Sequence, residues 1–212
     1  MSYSAQSLQS LRHLHIEPPS HEEVPARLEA SVVIWKLAQG NKRYCEAKNS
    51  PDHTRPMTKL VDLLIEDPIR PRPVEALVFA CAISYAPTDA VFDAEPGQIQ
   101  VVRVCGNVCE KNDGVIGSLE FALAAEMPPV LLVLGNSMNE LVDAAVIHAM
   151  RAAGRSADDI PDEPPHKGDP GAVIDLVDAL APAAHDALLQ EPNGSFAKLC
   201  ELACKLNVRR AA

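Results

Sequence analysis

Ala76-Leu-Val-Phe-Ala80 is a short unbroken apolar run, and Ile99-Gln-Val-Val-Arg-Val104 and Val130-Leu-Leu-Val-Leu134 follow it. The near-continuous apolar character of the first run argues for a strand buried on both faces, as in a parallel sheet. Between the second and third runs, Val115 to Glu126 has a helical pattern, and Pro128-Pro129 stops it. The implied fold class is α/β, with a short, mostly parallel sheet flanked by helices. Ligand chemistry in such sheets collects at the carboxyl ends of the strands. Cys81, Cys105 and Asn136 stand there.

Working outward, Ser84, Pro87, Thr88 and Asp89 suit a helix start, and Pro96-Gly97 a turn before the second strand. Gly135-Asn-Ser-Met-Asn-Glu140 leads into a helix ending near Ala153, and Ser137 with Glu140 fits a capping box. The Pro-, Gly- and acid-rich segment 154–171 reads as an exposed loop. Ala172 to Gln190 and Ser195 to Arg210 read as two further helices. Upstream, residues 1–50 form a helical arm and residues 51–212 the α/β domain. Within the arm, the pattern predicts a helix from Glu22 to Glu46, where Val32, Val33, Trp35 and Leu37 carry more apolar surface than a solvated helix needs. That surface predicts packing across a partner subunit. Thr58 to Glu66 reads as a second short helix.

A net charge of -10 without a dense basic run argues against nucleic acid and anionic membrane as partners. No apolar run approaches the length of a membrane span, and the polar N-terminus lacks a signal-peptide core. The chain therefore reads as a protein of the cytoplasm or of an organelle matrix or stroma. Six cysteines without such a signal read as reduced thiols in a reducing compartment. His13 and His15 read as solvated residues of the polar arm, and His148 as half-buried or interfacial. Cys200 and Cys204, four apart on one helix, read as core packing.

Several blocks in register resemble the β-class carbonic anhydrases. They are Ser84-Tyr-Ala-Pro87, Phe92-Asp93, Pro96-Gly97, Val101-Val-Arg103 and Gly106-Asn107, then Gly117-Ser-Leu-Glu-Phe-Ala122 and Val133-Leu-Gly135. Leu37-Ala-Gln-Gly-Asn-Lys-Arg-Tyr44 is similar to the family's N-terminal helix, and Asn207-Val-Arg-Arg210 to the opening of its last long helix. The resemblance implies a zinc site built from a Cys-x-Asp-x-Arg motif and a later His-x-x-Cys. Here those positions read Cys81, Ile83, Tyr85, Asn136 and Asn139. Zinc needs thiolate, imidazole or carboxylate donors, and a neutral amide is a poor substitute. By resemblance the site is vestigial: Cys81 is its one retained ligand position, and no catalytic residue, metal or cofactor is expected. Arg103 lies near that pocket, where an ordinary salt bridge is the expected role. Cys105 and Cys109 bring further thiols towards the same end of the sheet.

The leading reading is a carbonic-anhydrase-like protein without zinc catalysis, serving as a structural or regulatory subunit of a larger assembly. Its partners would be a second copy, a related subunit forming a heterodimer, or other protein subunits. The alternative is an enzyme of CO2/bicarbonate chemistry, with zinc displaced or supplied by an intact partner. A small-anion module using helix N-termini near Asn136 and Ser84 is the third class. In the family a further strand follows the last helix, whereas this chain stops at Ala212. The resemblance therefore implies a truncated C-terminus. It also implies an apolar edge on Val130 to Leu134, covered by another polypeptide or by residues 1–20.

Overall fold

The computed structural model describes residues 28–49, 73–95, 97–109, 114–162 and 170–212. Thr58 to Glu66, His13, His15 and residues 1–20 lie outside them. The three apolar runs form strands β1 (Ala76–Cys81), β2 (Ile99–Val104) and β3 (Val130–Leu134) in the order β2-β1-β3. Both pairings are parallel, with Ala76 opposite Ile99 on one side and opposite Val130 on the other. β1 is central and buried along its whole length. β3 pairs with β1 alone among the described residues, and Leu131 is 46% exposed.

Helix α1 (Ala30–Asn49) begins later than the Glu22 start the pattern predicts, because Leu28 and Glu29 are not helical. The Glu29 carbonyl accepts from the Val32 and Val33 amides and so opens the helix. Val33 is fully buried with Ala76, Val78, Ala80 and Ile99, and Leu37 packs against that cluster. Alternate β1 residues thus face α1. The opposite side of α1 leaves Val32, Ile34 and Trp35 exposed, Trp35 by 63%.

The Gly40-Asn-Lys-Arg43 segment docks α1 onto the short helix α2 (Thr88–Val91) and the turn after it. Asn41 Nδ2 donates to the Val91 carbonyl at 3.1 Å, and Arg43 Nε meets Asp93 Oδ2 at 2.5 Å. Lys36 reaches both Glu75 oxygens at 2.6 Å, just ahead of β1. The motif is therefore a docking surface through Gly40, Asn41 and Arg43, while Lys42 pairs with Glu46 on its own helix.

Helix α3 (Gly114–Glu126) packs against β2 and β1 and returns the chain to β3. Helices α4 (Glu140–Ala152), α5 (Pro170–Gln190) and α6 (Phe196–Ala211) then build a second core. Leu141, Val146, Met150, Leu180, Leu199 and Ala203 are buried in it. Ile83, Cys105 and Val108, just beyond the ends of β1 and β2, pack against this core. The three-helix layer therefore closes over the carboxyl-end loops. Asn207 to Arg210 lies in the last turns of α6 and does not open it, since Ser195 caps that helix through the Lys198 amide.

Gly40 separates propensity from packing. Alanine at an exposed helix position gains about 1 kcal/mol over glycine. At position 40, however, a Cβ would lie 1.7 Å from the Phe92 carbonyl oxygen. Gly40→Ala should therefore destabilise the chain, by about 3 kcal/mol or more if α1 cannot shift. Urea denaturation checks it, and any gain in midpoint would contradict the docking.

Candidate functional site

The site lies where β1 and β3 end. Cys81 closes β1 and is 1% exposed. Beyond β3, the Gly135–Asn139 loop turns back toward it and enters α4. Asn139 is the N-cap of α4: its Oδ1 accepts from the Leu141 amide at 3.1 Å, and its Nδ2 donates to Cys81 Sγ at 3.5 Å. This replaces the capping box expected at Ser137, which is exposed. Asn is as good a cap as Ser, and its second polar atom finds the thiol, so the helix starts at Glu140. Asn136 Nδ2 donates to the Met138 carbonyl at 2.8 Å, inside its own loop.

Among the described residues Arg103 forms no salt bridge of the kind expected. Its Nε and Nη2 donate to the Cys81 carbonyl at 3.1 and 2.9 Å, and Nη2 also donates to the Ser84 carbonyl. The two carbonyls lie at the end of a strand and in the tight turn after it, where the Cys81 carbonyl also accepts from the Ser84 amide at 3.4 Å. Ile83 leaves the pocket for the three-helix core. Tyr85 is 99% exposed. Cys105 is half-buried against the same core, and Cys109 is half-buried. His148 is exposed.

The structure adds a residue that the sequence reading placed in the core. Cys204 Sγ donates to the Asn136 carbonyl at 3.2 Å, on the same loop that holds Asn139 against Cys81. Burial pushes the Cys204 thiol up, and Cys81 contributes to the shift. Cys200, four residues earlier, does belong to the core and hydrogen-bonds Asp143. The cysteine pattern alone separates the two only through the rotation of about 40° that four helical residues accumulate.

The structure thus brings Cys81, Asn136, Asn139 and Cys204 together and sends Ile83 and Tyr85 elsewhere. The family's three ligand positions are here one thiol and two amides, which do not fit zinc, because the amide nitrogens act as donors and carry no lone pair for a metal. Among the described residues, no group of three or more His, Cys, Asp or Glu side chains could hold a metal ion. Among them also, no helix is long and apolar enough to cross a membrane.

Comparison with known proteins matches residues 76–212 to the family model described as carbonic anhydrase. Carbonic anhydrase 2 of Mycobacterium tuberculosis (strain ATCC 25618 / H37Rv) is 32% identical over 116 residues, 54% of this chain and 52% of that protein. The chain spans about half the length of the curated relative it matches. The β-carbonic anhydrase CafA of Aspergillus fumigatus superposes with a TM-score of 0.53 at 20% identity, covering 84% of this chain and 73% of that one. The Coccomyxa β-carbonic anhydrase gives 0.53 at 16% identity, covering 81% and 66%. The two structures share the fold.

Asn139→Ala removes the α4 cap and the amide on Cys81 together. Losing such a cap costs about 1 kcal/mol, up to about 2 in buried settings. Asn139→Asp keeps the cap and should recover most of it. Paired denaturant titrations check this: equal losses in both variants would mean that capping is not the role.

Proposed function

We propose that this chain, which belongs to the carbonic anhydrase family, has lost zinc hydratase chemistry and serves as a structural or regulatory subunit of a larger protein assembly. The observation that carries the reading is the double use of Asn139. Its oxygen holds the start of α4 and its nitrogen faces the Cys81 sulfur. The position where the family resemblance calls for a thiolate ligand is thus occupied by a neutral amide whose polar atoms are already bonded.

The rest of the pocket supports the same reading. Catalytic zinc needs three protein donors and an open position for water. In the family that water is governed by an Asp–Arg pair. Ile83 packs into a hydrophobic core and Tyr85 stands in solvent, so neither takes up that work.

The expected result is that purified protein carries no stoichiometric zinc and hydrates CO2 no faster than buffer in stopped flow. Asn136→His with Asn139→Cys should restore zinc binding without turnover, since an ion without its surrounding partners is not tuned for the reaction. Near-unit zinc in the unmodified chain, lost in Cys81→Ser, would overturn the reading in favour of a displaced-metal enzyme.

The subunit role rests on exposed apolar surface. Val32, Ile34 and Trp35 on α1, and Leu131 on the β3 edge, are uncovered in the single chain. Trp35→Glu should change chain stability by less than about 0.5 kcal/mol, yet lower the mass of the native assembly in light scattering. An unchanged assembly mass would count against the α1 face as the contact.

A further inference from the structure

We propose that Cys81 and Cys204 together form a site for a thiophilic, two-coordinate cation, with cuprous copper as the ion of matching chemistry. The inference does not depend on the functional reading above. The two sulfurs come from the end of β1 and from the last helix, and one loop holds both. Asn139 donates to Cys81 Sγ at 3.5 Å, and Cys204 Sγ donates to the Asn136 carbonyl at 3.2 Å. Register places them side by side: Ala80 pairs with Leu134, so Cys81 follows next to Gly135, whose Cβ position lies 3.0 Å from Cys204 Sγ.

Gly135 explains how a helix residue reaches this place. A Cβ at that position would meet Val208 Cγ2 at 2.6 Å and Cys204 Sγ at 3.0 Å. Glycine therefore lets α6 lie directly on the loop, with the Cys204 sulfur turned toward it. An ion has a route in, because Cys204 also lines an open cleft of about 720 Å³ with Gly135, Ser137, Glu201, Lys205 and Arg209. Cys81 sits behind it, nearly closed to solvent.

The donor set decides which ion fits. Two thiols without a third His, Cys, Asp or Glu ligand among the described residues cannot complete a tetrahedral zinc site. Thiolate sulfur selects soft ions, and Cu(I) is satisfied by two sulfurs in line. Binding releases both thiol protons, so affinity rises with pH. The resulting dithiolate complex carries one negative charge; on the cleft wall Lys205 is paired with Glu201, and Arg209 adds a further positive charge.

The test titrates Cu(I) anaerobically into the full reduced chain, in competition with the chromophoric chelator bathocuproine disulfonate. The expected result is one Cu(I) retained per chain, with Cys204 shielded from iodoacetamide in peptide mapping while Cys45 still reacts. Cys81→Ser and Cys204→Ser should each weaken retention by at least about 100-fold, more than the loss of an outer-sphere partner. The Cys105→Ser, Cys109→Ser double variant should leave retention unchanged. Cys204 is half-buried, so its serine variant serves as the test if the change at buried Cys81 prevents folding. Unaltered affinity in Cys204→Ser, or protection of Cys105 and Cys109 in place of Cys204, overturns the proposal. Zinc and hydratase activity in the purified protein would overturn the functional reading alone, and failure to retain Cu(I) overturns this one alone.

Discussion

The side-chain amide of Asn107 holds together the end of the sheet on which everything else is built. Its Nδ2 donates to the Phe79 carbonyl at 3.3 Å and to the Leu134 carbonyl at 3.2 Å, tying β1 two residues before its end to the last residue of β3. Asn107 is 2% exposed, so both bonds are made away from water, where leaving a carbonyl unpaired costs about 1–3 kcal/mol. To reach them the backbone takes two successive left-handed residues, Gly106 at φ 71° and Asn107 at φ 53°. Glycine and asparagine are the residues that adopt this conformation at least cost. Leu180 also closes over Gly106, 3.1 Å from where a Cβ would be. Asn207 then donates to the Gly106 carbonyl at 2.7 Å and anchors α6 on the same turn. One short turn therefore fixes two strand ends and the helix that delivers Cys204.

Around that anchor, charge has given way to backbone satisfaction and packing. Arg103 lends its guanidinium to carbonyls of the turn after β1 and has no carboxylate partner of its own in that turn. This keeps the turn rigid without an ion. Asn139 does the equivalent on the β3 side by ending α4. The loops facing each other across the site are therefore each held by their own hydrogen bonds.

How much of this could be read in the sequence depends on the kind of information required. The strands were legible almost to the residue, β1 running one residue further than its apolar run to Cys81, because each is an apolar run bounded by turn-forming residues. The helices after them were legible from periodicity, and the family resemblance from blocks in register. The role of Arg103 was not, because a sequence lists charged partners while the convergence of two carbonyls on one guanidinium arises only from the path of the chain. The choice of Asn139 over Ser137 as cap depended on the Cys81 thiol, contributed by a strand 58 residues earlier. Cys204 was hidden for a similar reason: its neighbour Cys200 does pack in the core, and the α6–loop contact at Gly135 is a tertiary fact.

Under the proposed loss of zinc chemistry, the position of Ile83 against the helical core opposes its recovery. A metal ion cross-links the elements that hold it, and structural zinc binding is worth about 10–16 kcal/mol in small domains. The cap and the amide-to-sulfur bond of Asn139 contribute far less, about 1 kcal/mol each. The remaining cohesion comes from Asn107, from Arg103 and from the three-helix core that Ile83 joins. Placing a carboxylate at half-buried position 83 would set it against that core, where an unpaired polar group costs up to about 1–3 kcal/mol. Its partner position is no help, since Tyr85 points into solvent. Ligand substitutions alone could bring an ion back. Gating its water would require repacking the helical layer, and this joins the site's chemistry to the stability of the fold.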